Sequence, residues 1–210
     1  EVTRQRMVVR VVVHKVGGYA TGSGWRDEPL YTQNFPLKCG KGSAYEGGIR
    51  EPMIVRWPGT VQPGTRCNDY LIIEDFYPSI LEMAGIDDYD VPQEIDGISF
   101  VPLLKQTKNH SQGRSLYWNC PNIWGEKGPG IGPSCTIRKD NWKMIYFYET
   151  GEKELYDIPN DTEENNNVAA LYPQIINKLS KELGKFLRQT NGQRPSLKKT
   201  GKPCPWPDEI

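Results

Sequence analysis

The chain has 210 residues, of which 37% are hydrophobic and 25% are charged, and its 26 basic side chains balance 26 acidic ones. This composition is typical of a globular protein, and a net charge of zero without a block of Lys or Arg argues against a nucleic-acid partner. The longest apolar runs are too short to cross a bilayer, so we expect no membrane partner.

The first half of the sequence predicts strand, loop, strand and helix, in that order. β-branched residues predict a strand from Met7 to Val13, and Gly, Asp, Pro and Asn predict a long surface loop from Gly17 to Lys38. A second short strand is predicted from Met53 to Trp57. Asp75 is predicted to cap a helix that runs through Ala84 and ends at Gly85.

Strand signals dominate the second half. Thr150-Gly151 predicts a hairpin turn, and an amphipathic helix is predicted to begin at Pro173 and to end at Gly192. The tail to Ile210 is rich in Pro and Lys and is predicted to be loosely held. The four predicted strands are Ser115–Trp118, Cys135–Arg138, Trp142–Tyr148 and Glu154–Asp157.

A polar stretch from Lys105 to Gly113 separates the two halves. Such composition breaks often mark domain boundaries, so we predict one domain over residues 1–108 and a second over 109–210.

The cysteines indicate neither a disulfide framework nor a metal site. Five are present without CxxC or metal-ligand spacing, and their odd number leaves at least one thiol unpaired within the chain. Their pairing stays open; they are Cys39, Cys67, Cys120, Cys135 and Cys204. Glu1 stands where an initiator Met is expected and no signal peptide is visible, which indicates a processed or cut chain.

A lysine between two glycines is the most distinctive local pattern. Lys41 lies between Gly40 and Gly42, and Glu46-Gly47-Gly48-Ile49-Arg50 follows shortly after. Glycine allows the backbone to approach a ligand closely, and lysine is a compact cation suited to a small oxyanion. The alternative is a solvated turn in which the glycines merely reverse the chain.

The run from Pro36 to Gly59 resembles the segment P-L-R-x-G-K-G-x-x-x-E-G-G-I-R-x-P-x-I-V-x-W-P-G of sulfatases, the sulfuric-ester hydrolases of the alkaline-phosphatase-like superfamily. Four further stretches resemble sulfatase motifs in the family's order, so the likeness extends from Gly17 to Leu187. They are Asp75–Gly85, Asp96–Leu104, Ile137–Ile145 and Glu154–Ala169.

The resemblance implies an α/β fold that is the C-terminal part of an alkaline-phosphatase-like sulfatase. Residues 1–108 would form the end of the large α/β domain. Residues 109–210 would form a small antiparallel sheet packed with a C-terminal helix, followed by the loose tail. Family members are commonly periplasmic, lysosomal or secreted, which the resemblance extends to this chain.

Most of the catalytic groups that the family uses are missing from this sequence. Sulfate-ester hydrolysis needs a nucleophile, a cation and a proton donor. The family's nucleophile is a formylglycine made from the Cys or Ser of C/S-x-P/A-x-R, and that pattern does not occur here. Calcium and formylglycine are therefore expected for the intact family enzyme, and this chain supports neither.

The calcium motif of the family, T/S-D-N-G-G, is replaced by His14-Lys15-Val16-Gly17-Gly18. An ammonium group and a valine cannot coordinate calcium, which needs oxygen ligands, so we predict no metal ligand in this chain. Because the likeness stops before Gly17, we hypothesise that residues 1–16 do not derive from the ancestral reading frame. Upstream genomic DNA without the missing motifs in any frame would contradict this.

The resemblance assigns site roles to four residues. Lys41 would contact the sulfate oxygens, and Glu46 and Arg50 would support its loop. A local salt bridge or two surface charges is the alternative for that pair. Asn119 stands where the family often has the histidine of L-Y-W-H-x-P, so we expect at most a weak substrate contact there.

We interpret the chain as part of a sulfatase that acts on a sulfated carbohydrate or an aryl sulfate, and we expect it to be inactive alone. One alternative is a non-catalytic lobe that binds sulfated glycans. Another is a phosphodiesterase or phosphonate hydrolase of the same superfamily. A truncated α/β domain would expose strand edges and an apolar face, which favours self-association; a clean monomer in size-exclusion chromatography would count against it.

Overall fold

The computed structural model describes residues 34–86, 88–106, 113–122 and 128–210. The predicted strand Met7–Val13, the His14-Lys15-Val16 stretch and the hypothesis on residues 1–16 fall outside these ranges. Contacts between described residues form two compact units. We call Pro52–Arg114 the helical unit, and 34–51 together with Ser115–Ile210 the sheet unit. None of the described helices is both long and apolar enough to cross a membrane.

The helical unit contains one short helix and two single turns. A 3-10 turn, Ile73–Asp75, leads into the helix α2, Phe76–Met83, and the single turn α3 spans Val101–Leu104. The first helical turn of the chain, α1, spans Glu46–Ile49 and lies in the sheet unit. Apolar side chains from α2 and α3 share one core with residues of the adjoining loops. Its buried members are Met83, Phe100, Val101 and Leu103.

The end of α2 confirms the predicted helix stop. Gly85 has a φ of +72°, in the left-handed region that favours glycine. The N–H of Ile86 donates to the carbonyl of Leu81, and the N–H of Gly85 donates to the carbonyl of Glu82. This is the bonding pattern of a Schellman cap, which satisfies the last carbonyls of the helix.

The predicted capping role of Asp75 is wrong. The side chain makes no cap hydrogen bond to α2, and its carboxylate instead accepts the N–H groups of Ile72 and Ile98 and both terminal nitrogens of Arg114, at 2.6 and 2.7 Å. A fully buried carboxylate needs a partner for its charge, and Arg114 supplies it. Burial acts to raise the pKa of Asp75, but these donors hold it below the ordinary value.

The strand predicted from Met53 to Trp57 is also wrong, because this segment has no strand structure in the described fold. A strand requires a neighbour for its backbone groups, and no described segment pairs with it. Ile54 in this segment is 64% exposed. Ile73 and Ile98, elsewhere in the helical unit, are also more than half exposed. The self-association that we expect from exposed apolar surface stays a prediction.

The sheet unit confirms the four strands predicted for the second half of the chain. They form one antiparallel sheet in the order β1-β2-β3-β4. Gly151, with a φ of +74°, lies in the predicted turn before β4. The helix α4 spans Pro173–Gln189. The strands are β1, Ser115–Cys120, β2, Ser134–Lys139, β3, Trp142–Phe147, and β4, Lys153–Asp157.

Successive side chains of a strand point to opposite faces of the sheet, so a different element packs on each face. Met144 and Tyr146 of β3 pack in the core that includes Leu179, Leu183 and Leu187 of α4. Ile145, between them in sequence, packs instead with Tyr45, Tyr156 and Ile158. The second face therefore carries the segment that contains the glycine-flanked lysine.

The tail is packed, so the prediction of a loosely held tail is wrong for its last part. Cys204 and Trp206 are 3% and 8% exposed and belong to the core under α4. The hydroxyl of Tyr146 donates to the carbonyl of Pro205 at 3.0 Å. One large apolar side chain, Trp206, gives this otherwise polar segment enough surface to bury.

Residues 34–51 belong to the same compact unit as the sheet. The division of the chain into domains over residues 1–108 and 109–210 stays a prediction.

Candidate functional site

The residues from Lys38 to Arg50, which we call the lysine loop, close on themselves through their backbone. The N–H of Gly47 donates to the carbonyl of Lys38 at 3.0 Å, and the N–H of Ser43 donates to that of Gly40 at 3.1 Å. A Cβ on Gly47 would lie 2.3 Å from the Lys38 carbonyl oxygen, and one on Gly48 would lie 2.1 Å from that of Ser43. The two glycines are therefore required by close backbone contact.

Lys41 lies on the closed part of this loop. It is half-buried between Gly40, which is buried, and Gly42, which has a φ of +91°. The backbone on either side is fixed by the hydrogen bonds described above, so the position of Lys41 is set by the loop's closure. A lysine on a fixed backbone can meet an oxyanion without first ordering the chain around it.

A row of polar side chains across the sheet lies beneath the loop. Arg138 of β2 is opposite Lys143 of β3, and Lys143 is opposite Tyr156 of β4. Partners in register project from the same face, so the three side chains form one row. Each of them contacts the lysine loop.

Glu46 joins the loop to this row. It is 2% exposed, with a carboxylate oxygen 3.0 Å from Nζ of Lys143 and the other 3.4 Å from a guanidinium nitrogen of Arg138. Arg50 lies 3.8 Å from the second oxygen, four residues along the chain, with its side chain 48% exposed. Glu46 and Arg50 thus lie within ion-pair distance, which is the local salt bridge given as the alternative, although Lys143 and Arg138 approach the carboxylate more closely. Their support of the loop around Lys41 stays a prediction.

Glu164, in the turn after β4, is a second buried carboxylate in the same cluster. One of its oxygens is 2.8 Å from Nζ of Lys143, and the other accepts the backbone N–H of Glu46 at 2.6 Å. Burial raises the pKa of Glu164 above the ordinary carboxyl value, although Lys143 acts in the opposite direction. The two carboxylates are balanced by Lys143 and Arg138, which limits the cost of burying these charges.

Lys38 anchors the start of the loop in an aromatic setting. Its Nζ lies 4.0 Å from the ring centroid of Tyr45 and donates to the Tyr156 hydroxyl at 3.3 Å and to the Glu164 carbonyl at 3.0 Å. A cation over an aromatic face is attracted by the ring electrons. Burial, and next the charge of Glu154, raise the pKa of both tyrosines, so their hydroxyls stay protonated and donate to Glu154.

Asn119 lies elsewhere on the sheet unit, near the end of β1. Its amide nitrogen donates to the carbonyl of Gln193 at 2.7 Å, and its amide oxygen accepts the hydroxyl of Tyr148 at 3.1 Å. The side chain thus links β1 to Tyr148, directly after β3, and to the segment after α4. Its role as a substrate contact stays a prediction.

Sequence reasoning did not identify Arg138, Lys143, Tyr156 or Glu164 as partners of the loop. All four lie in stretches that resemble sulfatase motifs, so the signal was a set of charged residues in motifs far apart in sequence. Lys143 is 97 residues from Glu46 and Glu164 is 118 from it. The strand register aligns Arg138, Lys143 and Tyr156. The lysine loop and the turn after β4 then bring Glu46 and Glu164 to Lys143.

The described residues do not provide a metal site. No group of three or more His, Cys, Asp or Glu side chains in that part of the chain is placed to hold an ion. The two carboxylates of the loop cluster face Lys143, and an ammonium between them occupies the place that a cation would need. Calcium does not fit this cluster, and we derive no chemical step through calcium or formylglycine.

Comparison with known proteins gives a consistent result. The family model described as N-sulphoglucosamine sulphohydrolase, C-terminal, matches residues 39–190. A sulfatase of Formosa agariphila is 29% identical over 189 residues, which cover 84% of this chain and 34% of that protein.

The solved structures that are similar to this chain include two that contain a bound saccharide. The crystal structure of Ps i-CgsB in complex with k-i-k-neocarrahexaose has a TM-score of 0.65 and 27% identity, covering 75% of this chain and 33% of that one. The structure of BT4656 in complex with its substrate D-glucosamine-2-N,6-O-disulfate has a TM-score of 0.51 and 30% identity, covering 68% and 28%. The chain thus spans about a third of the length of the relatives that it matches.

Proposed function

Because the chain belongs to the sulfatase family and has the fold of the C-terminal part of an alkaline-phosphatase-like sulfatase, we propose that it contributes the lysine loop to the hydrolysis of a sulfate ester. The substrate class that we propose is a sulfated carbohydrate. Two similar structures, those with neocarrahexaose and with disulfated glucosamine, support this choice. An aryl sulfate is the alternative substrate.

The observation that carries this proposal is the closure of the lysine loop around Lys41. Gly47 and Gly48 close the loop, and Glu46 is buried beneath it against Lys143. Lys41 is the cation that we assign to the sulfate oxygens, where it would neutralise charge that grows in the transition state. Glu46 and Arg50 would act on Lys41 through the loop and not on the substrate.

Binding to disulfated glucosamine tests this assignment, with Lys41→Ala compared against Lys178→Ala, which removes an exposed lysine of α4. A charge-assisted contact contributes about 1.5–3 kcal/mol, so we expect Lys41→Ala to weaken binding about 10- to 100-fold. Lys178→Ala should bind as the wild type does. Equal binding by all three proteins would contradict the role of Lys41.

We further propose that the 210-residue chain does not hydrolyse sulfate esters by itself. The sequence has no C/S-x-P/A-x-R pattern from which the family's nucleophile could be made. Hydrolysis of 4-nitrophenyl sulfate with added calcium measures this directly. We expect no turnover above that of Lys41→Ala, and turnover that depends on Lys41 would overturn the proposal.

Binding without turnover would leave two interpretations of the chain, a sulfatase part and a non-catalytic lobe that binds sulfated glycans. The lack of a nucleophile pattern favours the second for this polypeptide alone. Joining the chain to the preceding two thirds of a related sulfatase separates them. Activity that is lost with Lys41→Ala supports the first interpretation, and an inactive but binding hybrid supports the second.

A further inference from the structure

The two buried carboxylates of the loop cluster contact different groups. Glu46 contacts side chains of the sheet, Lys143 and Arg138. Glu164 also contacts Lys143, but its other carboxylate oxygen accepts the backbone N–H of Glu46. Glu46 is therefore part of the lysine loop, whereas Glu164 lies outside the loop and binds its backbone.

Glu164 contacts the lysine loop at two places. Its carboxylate accepts the N–H of Glu46 at 2.6 Å, and its own backbone carbonyl accepts Nζ of Lys38 at 3.0 Å. Lys38 precedes Lys41 by three positions and Glu46 follows it by five. One residue thus bonds to the loop on both sides of the lysine.

The local backbone explains how Glu164 reaches both places. It has a φ of +53°, in the left-handed region that is uncommon for a residue with a side chain, and its N–H donates to the carbonyl of Asp161 at 3.0 Å. Its side chain is fully buried, with Lys143 compensating the charge. A residue keeps such a backbone conformation when its contacts with neighbouring residues hold it there. For Glu164 these contacts include the hydrogen bonds to Glu46 and Lys38 of the lysine loop.

We propose that Glu164 is a positioning residue that clamps both sides of the lysine loop and thereby fixes Lys41 where it meets sulfate. This inference rests on the proposed function of Lys41. Glu164 acts through hydrogen bonds to Glu46 and Lys38 and does not itself touch the substrate. Its removal should therefore loosen the loop while the sheet beneath remains folded.

Hydrogen exchange of the full chain, measured by NMR, tests the clamp directly. In Glu164→Ala we expect the amides of Glu46, Gly47 and Gly48 to exchange at least about tenfold faster, because one charge-assisted hydrogen bond is lost. Amides of β2 and β3 should keep their wild-type rates. Glu163→Ala is the matched control, since Glu163 is the exposed neighbour and bonds to Asn165.

Two further readouts separate positioning from a general structural role. Inorganic sulfate should bind to folded Glu164→Ala about tenfold more weakly than to the wild type. Glu164→Gln should recover part of both the protection and the affinity, because its amide oxygen can still accept the N–H of Glu46. A residue that only stabilises the fold would lower the folded fraction and leave the affinity of folded molecules unchanged.

The outcomes that overturn the clamp are distinct from those that overturn the proposed function. Wild-type loop exchange and sulfate affinity in Glu164→Ala would overturn the clamp. If that variant does not fold, the wild-type protein decides: a scalar coupling across the hydrogen bond from the Glu46 amide to the Glu164 carboxyl carbon is expected, and its absence overturns the clamp. Unchanged sulfate binding in Lys41→Ala would instead defeat the proposed function, whatever the exchange rates show.

Discussion

Single residues of the lysine loop have roles that depend on partners remote in sequence. Glu46 could be predicted as a loop residue from the E-G-G-I-R run, and a pair with Arg50 could be predicted from their spacing. The burial of Glu46 could not be predicted, because its partner Lys143 lies 97 positions away in the sequence. A lysine in a strand is normally expected to have an exposed side chain. Lys143 is fully buried, and its contacts with the carboxylates of Glu46 and Glu164 explain this.

At Gly47 an added methyl group has no space. Gly47→Ala would place a Cβ 2.3 Å from two backbone carbonyl oxygens, so the loop must open to accept it. We expect a loss of about 2–4 kcal/mol in the unfolding free energy of the sheet unit, measured by urea titration. Gly201→Ala is the control in the same unit, since nothing lies within 4 Å of its Cβ. It should cost about 1 kcal/mol from its positive φ.

Removal of the Lys143 ammonium leaves two buried carboxylates without their shared cation. Lys143→Met should therefore cost about 3–5 kcal/mol in unfolding free energy at neutral pH. Burial raises the pKa of Glu164, so the folded state takes up this proton at a higher pH than the unfolded state does. The deficit should shrink as the pH is lowered and Glu164 takes up a proton.

Lys178→Met, at an exposed position of α4, serves as the control for charge removal. It should change stability by less than about 0.5 kcal/mol. A Lys143→Met protein as stable as this control, or one whose deficit grows on acidification, would contradict the buried ion cluster.

At the scale of elements, local patterns predicted type and position well. Short aromatic or β-branched stretches predicted the four strands of the sheet, and the periodicity of α4 and the glycine after α2 were equally informative. Three predictions were wrong, and one of them is the strand Met53–Trp57, which has no strand structure. Asp75 was predicted as a cap from its place before α2, but Arg114 binds it from 39 positions away. The tail was predicted from its Pro and Lys, but Trp206 anchors it.

The bond between Asp75 and Arg114 holds the helical unit together. Asp75→Asn should lower its unfolding free energy by about 3 kcal/mol at neutral pH, because a buried guanidinium loses its counter-charge. The folded pKa of Asp75 lies below its ordinary value of 3.8, so its contribution is present above that pH and is lost as the pH falls further. The difference between wild type and variant should vanish in strong acid.

Asp90→Asn, at an exposed position of the same unit, is the matched control. It should stay within about 0.5 kcal/mol of the wild type at neutral pH. Chemical denaturation monitored over a range of pH distinguishes the two variants. An Asp75→Asn deficit that is independent of pH would argue against a charged Asp75.

Trp206 distinguishes a packed tail from a loose one. It is 8% exposed, 6.4 Å from Tyr148 between ring centroids and 4.7 Å from the Arg194 guanidinium. Trp206→Ala should cost about 3 kcal/mol, which thermal unfolding can measure. Leu197→Ala, at a tail residue that is 40% exposed, should cost far less. Equal melting temperatures for the two variants would contradict the role of Trp206 in packing the tail.

At the scale of the whole molecule, the chain carries the C-terminal part of a sulfatase fold and about a third of the length of its relatives. The likeness of five ordered motifs was sufficient to predict the family, and side chains from three of these motifs converge on one cluster. Glu46 comes from the first of them, Lys143 from a later one and Glu164 from the last. The order of the motifs was readable from the sequence, whereas their convergence required the register of the sheet.

Lys41 is the group that we propose to contact sulfate, and lysine footprinting tests this role most directly. The wild-type chain is treated with an amine-modifying reagent with and without inorganic sulfate, and the modification of each lysine is measured by mass spectrometry. Sulfate should slow the modification of Lys41 and leave that of exposed Lys178 unchanged. An equal rate at Lys41 with and without saturating sulfate would contradict the account.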